Sequence, residues 1–369
     1  MQSLFAYVQS RDSNFNIAKQ KIHDAFAKDL NSMEEQNPER LKSEKEEAIM
    51  LFNENYKLKG ALVTSSEVEK VNSIVTKTIE DYYQDLAKDQ KLFRNNMVIE
   101  AEKVELRYVM MLMLFEEFAQ VAETDKKYNA SNFVKNLLIK SIKYNKSVEN
   151  VKLRYNLSWT DRLDKVRDWY REVLRNDEVY NNYLNLAAPG FDDDKEIITY
   201  IAKSIIFKSE IISADMEEWD IYWSENKPII RSMVLKTFKE LSVDNVEDFE
   251  LAEISYNWEE DKDFFVLLFN ETLNLADEFK ELISLKTKNW DIDRLAVIDK
   301  IILEMGIAEM MNFPSIPVKV TINEYIELAK SYSTPKSKQF INGILDVISK
   351  ELINNGSIRK SGRGLIDNK

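Results

Sequence analysis

The sequence predicts an all-helical protein, and three observations predict it. Across 369 residues there are only 7 glycines and 6 prolines, so few positions can interrupt a helix. Lys, Glu, Leu and Ile are abundant, and no stretch shows sustained strand alternation between turn signals. Apolar residues recur instead at three- and four-residue steps, which lays a stripe along one face of a helix. An apolar content of 44% is ample for sizeable cores, and a chain of this length usually holds two or three domains.

The first helix is expected from about Gln2 to Asp29, with Leu4, Phe5, Val8, Phe15, Ile17, Ile22 and Phe26 turned inward. Glu34 to Pro38 reads as a turn, and Leu41 to Leu58 as a helix ended by Gly60. Ser65, Ser66 and Glu67 are placed to cap a helix through Ile79, Tyr82, Tyr83 and Leu86. Asn95 to Ala122 is the most hydrophobic helix, which predicts burial on more than one face. Further helices are expected at Asn132 to Tyr144, Thr160 to Leu174 and Asp177 to Leu186, with Pro189 and Gly190 marking an internal boundary.

Beyond that boundary the chain matches itself at an offset of 67 residues without a gap. Asp194 falls on Asp261, Ile201 on Leu268, Trp223 on Trp290, Val234 on Ile301 and Phe238 on Met305. Duplication of a helical hairpin explains this, with convergence of two acidic amphipathic helices as the alternative. Duplication makes Trp223 and Trp290 equivalent interior anchors.

The last third carries three helices. One begins near Asp291 or Asp293 and holds Leu295, Ile298, Ile301, Ile302, Met305 and Ala308 on one stripe. Pro314 and Pro317 end it, because proline lacks the amide donor and restricts its predecessor, leaving Asn312 to Val320 as a rigid connector. Thr321 and Glu324 form a capping box for a second helix through Ile322, Tyr325 and Ala329. Thr334 suits the N-cap and Pro335 the first position of a third, whose stripe is Phe340, Ile341, Ile344, Leu345 and Ile348.

These residues carry a resemblance. PSIPVKVTINEYIELAK followed by PKSKQFINGILD closely resembles the C-terminal half of the NusB family of bacterial transcription antitermination factors, and Met1 to Tyr7 looks like the family's first helix. FINGILD looks like the family signature K-F-(I/V)-N-G-(V/I)-L-D, with Gln339 in place of its lysine. The resemblance implies a NusB-like bundle interrupted by a large helical insertion. Residues 1–30 would be its first helix, 31–189 the insertion, 190–254 the hairpin repeat, 255–355 the C-terminal lobe and 356–369 a basic tail.

What the resemblance implies about function is recognition. Family members pair with boxA-type single-stranded RNA and with the small-subunit ribosomal protein also called NusE, in the RNA polymerase antitermination complex of ribosomal RNA transcription. The RNA surface would include Phe5, Lys336, Ser337, Gln339 and Phe340, and Asp299 would meet the basic ribosomal protein along a face from Arg294 to Glu309. Phe5 and Phe340 also fit apolar stripes, so core packing competes for both; an ordinary solvated carboxylate competes for Asp299. The family carries an arginine-rich run ahead of its first helix, whereas this sequence opens at Met1, so RNA binding is expected to lean on the ribosomal partner.

Composition narrows the alternatives. The formal charge is −13, which argues against coating nucleic acid nonspecifically. It is uneven: Phe191 to Lys262 holds 19 acidic and 8 basic residues, Trp290 to Lys350 only 8 and 7. Basic residues return in the tail at Arg359, Lys360, Arg363 and Lys369, where an exposed, disordered end and a supplement to RNA binding are both open. With no cysteine and one histidine, His23, neither a thiolate metal site nor a Glu-x-x-His di-iron motif exists. Glu116-Glu117 and Glu259-Glu260 are adjacent, so each pair diverges on a helix. Glycine-rich phosphate loops are missing. No enzymatic activity, cofactor or metal is expected. The longest apolar run, Val109 to Phe115, is far short of a membrane span, and no signal peptide is visible at Met1, so a cytoplasmic, membrane-free protein is expected. The competing function is a non-catalytic interaction scaffold that keeps the NusB-like fold without RNA affinity, its acidic insertion gripping a basic partner.

Overall fold

Helices account for every regular element among the described residues of the computed structural model, which are 1–28, 36–58, 64–287 and 296–366. The chain divides into a discontinuous unit, Met1–Val98 with Lys262–Lys369, and a continuous one, Ile99–Asp261.

In the discontinuous unit, α1 (Gln2–Ala25), α2 (Pro38–Asn55) and the first part of α3 (Glu69–Thr124) share one apolar cluster. Ala18, Ile22 and Phe26 meet Ala48, Leu51, Phe52, Val71, Val75 and Ile79, each set at helical spacing. Ile17 does not join them: it is 50% exposed, one residue off the stripe. Asn37 accepts hydrogen bonds from the amides of Glu39 (3.0 Å) and Arg40 (3.3 Å), and Pro38 needs no donor at the first position. So α2 starts inside the segment expected to be a turn, while Gly60, its expected end, lies outside the described residues. Where separate helices were expected up to Leu86 and from Asn95, α3 is continuous over 56 residues. No proline or glycine falls between those points, so nothing interrupts its backbone ladder.

A second cluster in this unit joins Leu4 of α1 to α12 (Trp258–Leu273), α13 (Asp277–Thr287), α14 (Val297–Asn312), α15 (Val318–Tyr332) and α16 (Ser337–Asn354). From Ile301 to Met310 every residue of α14 except Glu304 is buried, making it the interior helix of this bundle. The expected start at Asp291 or Asp293, together with Trp290, Arg294 and Leu295, lies outside the described residues. The prolines end α14 as expected, but Pro317 itself caps α15, ahead of the predicted box. Thr321 is therefore inside the helix, and α16 begins at Ser337 rather than Pro335. The described residues of the tail are fastened to the connector. The Ser361 amide donates to the Pro314 carbonyl (2.9 Å), Lys360 Nζ donates to the Phe313 carbonyl (3.0 Å), and Ile358 is buried. Gly364 packs so closely on Pro314 that an added Cβ would sit 2.0 Å from its carbonyl oxygen.

The continuous unit has one cluster, built from the rest of α3 with α4 (Ser131–Val134), α5 (Leu137–Tyr144), α6 (Lys146–Tyr155), α7 (Leu163–Trp169), α8 (Glu178–Leu184), α9 (Phe191–Tyr200), α10 (Glu210–Trp219) and α11 (Trp223–Glu240). All residues from Tyr108 to Phe115 are buried, as the composition of that stretch required. Asn136 and Asn145 cap α5 and α6, splitting one expected helix and starting another that the pattern did not show. Pro189 and Gly190 lie within this unit, where the Gly190 amide donates to Asp193 at the start of α9 (2.8 Å). Trp223 is fully buried and stacks on Phe207 at 6.1 Å. No helix among the described residues is long and apolar enough to cross a membrane.

Candidate nucleic-acid interface

The connector and the α15–α16 loop converge on two buried carboxylates of α14. Near its start, Asp299 is 6% exposed and accepts hydrogen bonds from Ser333 Oγ (2.6 Å) and Ser337 Oγ (2.9 Å). The Thr334 and Ser337 hydroxyls lie 2.9 Å apart. These bonds fasten the loop and the first turn of α16 to the core helix. The resemblance implies that Asp299 meets the ribosomal protein, with an ordinary solvated carboxylate as the alternative; the structure buries it and turns it to the loop. The expected partner face has the same fate. Up to Glu309, the burial of Ile301 onward leaves only Ala296, Val297 and Lys300 exposed among its described residues, with Ile298 and Glu304 half-buried.

At the far end of α14, Glu309 accepts from Thr321 Oγ1 (2.7 Å) and Tyr325 Oη (2.9 Å), both buried. Burial pushes the Glu309 carboxyl above its ordinary range, and the Thr321 and Tyr325 donors and the Lys360 charge partly oppose that. Burial also raises the Tyr325 phenol, so it stays protonated and donates. The pair locks α14 against α15 and so sets the height of the connector. Sequence reading missed Glu309 as an interior group, although its place four residues after Met305 puts it on the apolar stripe.

On that scaffold the first turn of α16 presents Lys336, Lys338 and Gln339 to solvent. Neither lysine pairs with a carboxylate among the described residues. Exposed cations at a helix N-terminus favour anionic oxygens, and the helix dipole points the same way, although the Ser337 and Gln339 amides are already taken by the Thr334 and Lys336 carbonyls. Lys338, which sequence reading did not single out, stands between two residues that it did. Ser337 is 4% exposed and Phe340 7%, the latter inside the second cluster; Phe5 packs half-buried against the same cluster. The structure thus brings Lys336 and Gln339 together on the surface and turns Ser337 and Phe340 inward as their supports.

Residues 228–350 match the sequence model of the NusB family. The chain is 45% identical over 105 residues to the transcription antitermination protein NusB of Salinibacter ruber, covering 28% of this chain and 66% of that protein. It is 43% identical over 106 residues to the corresponding protein of Chloroherpeton thalassium, 29% of this chain and 50% of the relative. Against that of Koribacter versatilis it is 40% identical over 111 residues, 30% of this chain and 76% of the relative. The match therefore spans one half to two thirds of the first two relatives. No solved structure matches this chain.

Proposed function

This chain belongs to the NusB family, and from that premise we propose that it is a bacterial transcription antitermination factor. In this reading it binds boxA-type single-stranded RNA together with the ribosomal protein NusE during ribosomal RNA transcription, in the cytoplasm, as a non-catalytic member of the polymerase complex. The observation that carries it is the 40% identity over 76% of a relative named for antitermination.

The surface chemistry agrees with the reading. Single-stranded RNA is held by cations, polar edges and aromatic faces. Lys336 and Lys338 supply charge, Gln339 supplies an amide that can read a base edge, and the half-buried Phe5 supplies the rim of an aromatic ring. Asp299, Ser337 and Phe340 position that surface from beneath. Fluorescence anisotropy with boxA RNA tests it. Binding should tighten when NusE is added. Lys336→Glu with Lys338→Glu should weaken it and flatten its salt dependence, by about one released counterion for each phosphate that a lysine no longer neutralises.

One observation favours the scaffold reading. Residues 99–261 hold 33 acidic and 22 basic side chains, so they carry −11 of the formal −13, which suits a basic protein partner. Absence of boxA binding with and without NusE would select that reading.

A further inference from the structure

A second surface lies in the discontinuous unit, and none of the loop residues that Asp299 fastens lines it. Between α1, the short helix Tyr56–Leu58, α3 and α13 runs a groove of about 930 Å³. Tyr7, Tyr56 and Tyr82 line it, and none of their hydroxyls has a hydrogen-bond partner among the described residues. Tyr82 is only 5% exposed, and its hydroxyl is not among the sealed polar groups, so it can donate into the groove that it lines. Burial pushes that phenol up to about 12, which keeps it a neutral donor.

Three of the four cations of the groove, all but Lys57, gather at one place; the carboxylates of Asp12, Asp277 and Glu281 line the groove too. Arg11, Lys280 and Lys300 line it, and the charges of all three act on the half-buried Glu304 carboxyl, which burial otherwise raises. Their carboxylate pairings are long and loose: Arg11 to Asp12 at 3.7 Å, Lys280 to Asp277 at 3.5 Å and Lys300 to Glu304 at 3.9 Å. Asp277 is almost fully solvated, so such pairs are weak and yield readily to a stronger anion. Donors on one side and tyrosine rings on the other call for a ligand with clustered anionic oxygens and a flat apolar face.

We propose that this groove binds a nucleoside phosphate, free or as one residue of a strand, with the base against Tyr7 and Tyr56 and the phosphate held by Arg11, Lys280 and Lys300. Base-on-tyrosine stacking tolerates any base, and lysine and arginine beside it track the phosphate. The Tyr82 hydroxyl supplies the remaining donor. No residue of the α16 surface lines this groove, so separate variants test the two.

The test titrates the full chain with ATP by calorimetry and with fluorescein-labelled octaadenylate by anisotropy, both without magnesium. Saturable binding is expected, weakened about tenfold or more by Lys280→Ala with Lys300→Ala at unchanged thermal unfolding. Tyr82→Phe keeps the ring, removes the hydroxyl and should weaken binding about two- to tenfold with unchanged thermal unfolding. Lys336→Ala with Lys338→Ala should leave ATP binding as it was. Binding of ATP identifies a free nucleotide; binding of octaadenylate alone identifies a strand. Saturation by neither probe, undiminished binding in the Lys280 and Lys300 variant, or loss in the Lys336 and Lys338 variant would each overturn the assignment.

Discussion

Residues 99–261 bury their largest side chains, among them Trp159, Trp169, Trp223, Tyr170 and Tyr180, in one cluster. The discontinuous unit divides its apolar residues between two clusters and places Asp299 and Glu309 inside the second. The continuous unit has a buried carboxylate too, but Asp194 accepts from the Leu137 amide (2.7 Å) and from Tyr183 Oη (2.6 Å), which fastens the start of α5. In the discontinuous unit the carboxylates fasten the connector and the loop that carry exposed cations. Charge follows the same division: 33 acidic against 22 basic residues in 99–261, and 31 against 29 elsewhere. One region fills its interior with aromatic mass and its surface with acidity; the other uses interior polar bonds to hold a near-neutral surface in a defined shape.

The largest expected effect is in the aromatic core. Trp223→Ala should destabilise residues 99–261 by about 3–5 kcal/mol, the usual result of emptying an aromatic interior site, read from denaturant unfolding. Retention of the wild-type midpoint would mean that the cluster is not what holds this unit. Next comes Leu4→Ala, which removes the α1 side chain buried in the C-terminal bundle and should cost about 2–5 kcal/mol. A neutral outcome there would break the claim that the first helix and residues 262–366 form one unit.

Glu309→Leu should cost about 1–3 kcal/mol, because the hydroxyls of Thr321 and Tyr325 lose their acceptor. Its pH dependence has a definite sign. The folded carboxyl titrates above its ordinary value of 4.5, so its contribution is fully present below the unfolded value and is lost as pH rises through the folded one. The stability of the wild type relative to Glu309→Gln should therefore fall as pH rises above about 4.5 and then level off. A difference that grows with pH would show that the Glu309 carboxyl is not raised. Gly364→Ala is expected to have an effect of similar size but confined to the tail. The clash with Pro314 should release the tail, seen as faster amide exchange at Ser361, for about 1–3 kcal/mol.

The legible parts of this fold are those set by residues that act alone. Pro314 and Pro317 mark the connector because proline acts locally, and the run from Tyr108 to Phe115 announces its burial by composition. Where partners decide, sequence misleads. Asp299 reads as a partner contact or a solvated acid because nothing nearby in sequence shows that Ser333 and Ser337 will reach it. Thr321 reads as a cap because its acceptor, Glu309, belongs to another helix. The helix α6 stayed hidden because its cap, Asn145, looks like any asparagine, and α3 reads as two helices because its apolar content rises sharply after Asn95. The site was legible to the same degree: Lys336 and Gln339 are exposed, while Ser337 and Phe340 lie beneath them.

The most direct measurement is hydrogen–deuterium exchange of the full chain with and without boxA RNA in the presence of NusE. The account predicts slowed exchange over residues 334–340 and at the start of α1, with 99–261 unchanged by the RNA. RNA-dependent protection confined to 99–261, or none around Lys336 and Lys338, would contradict it.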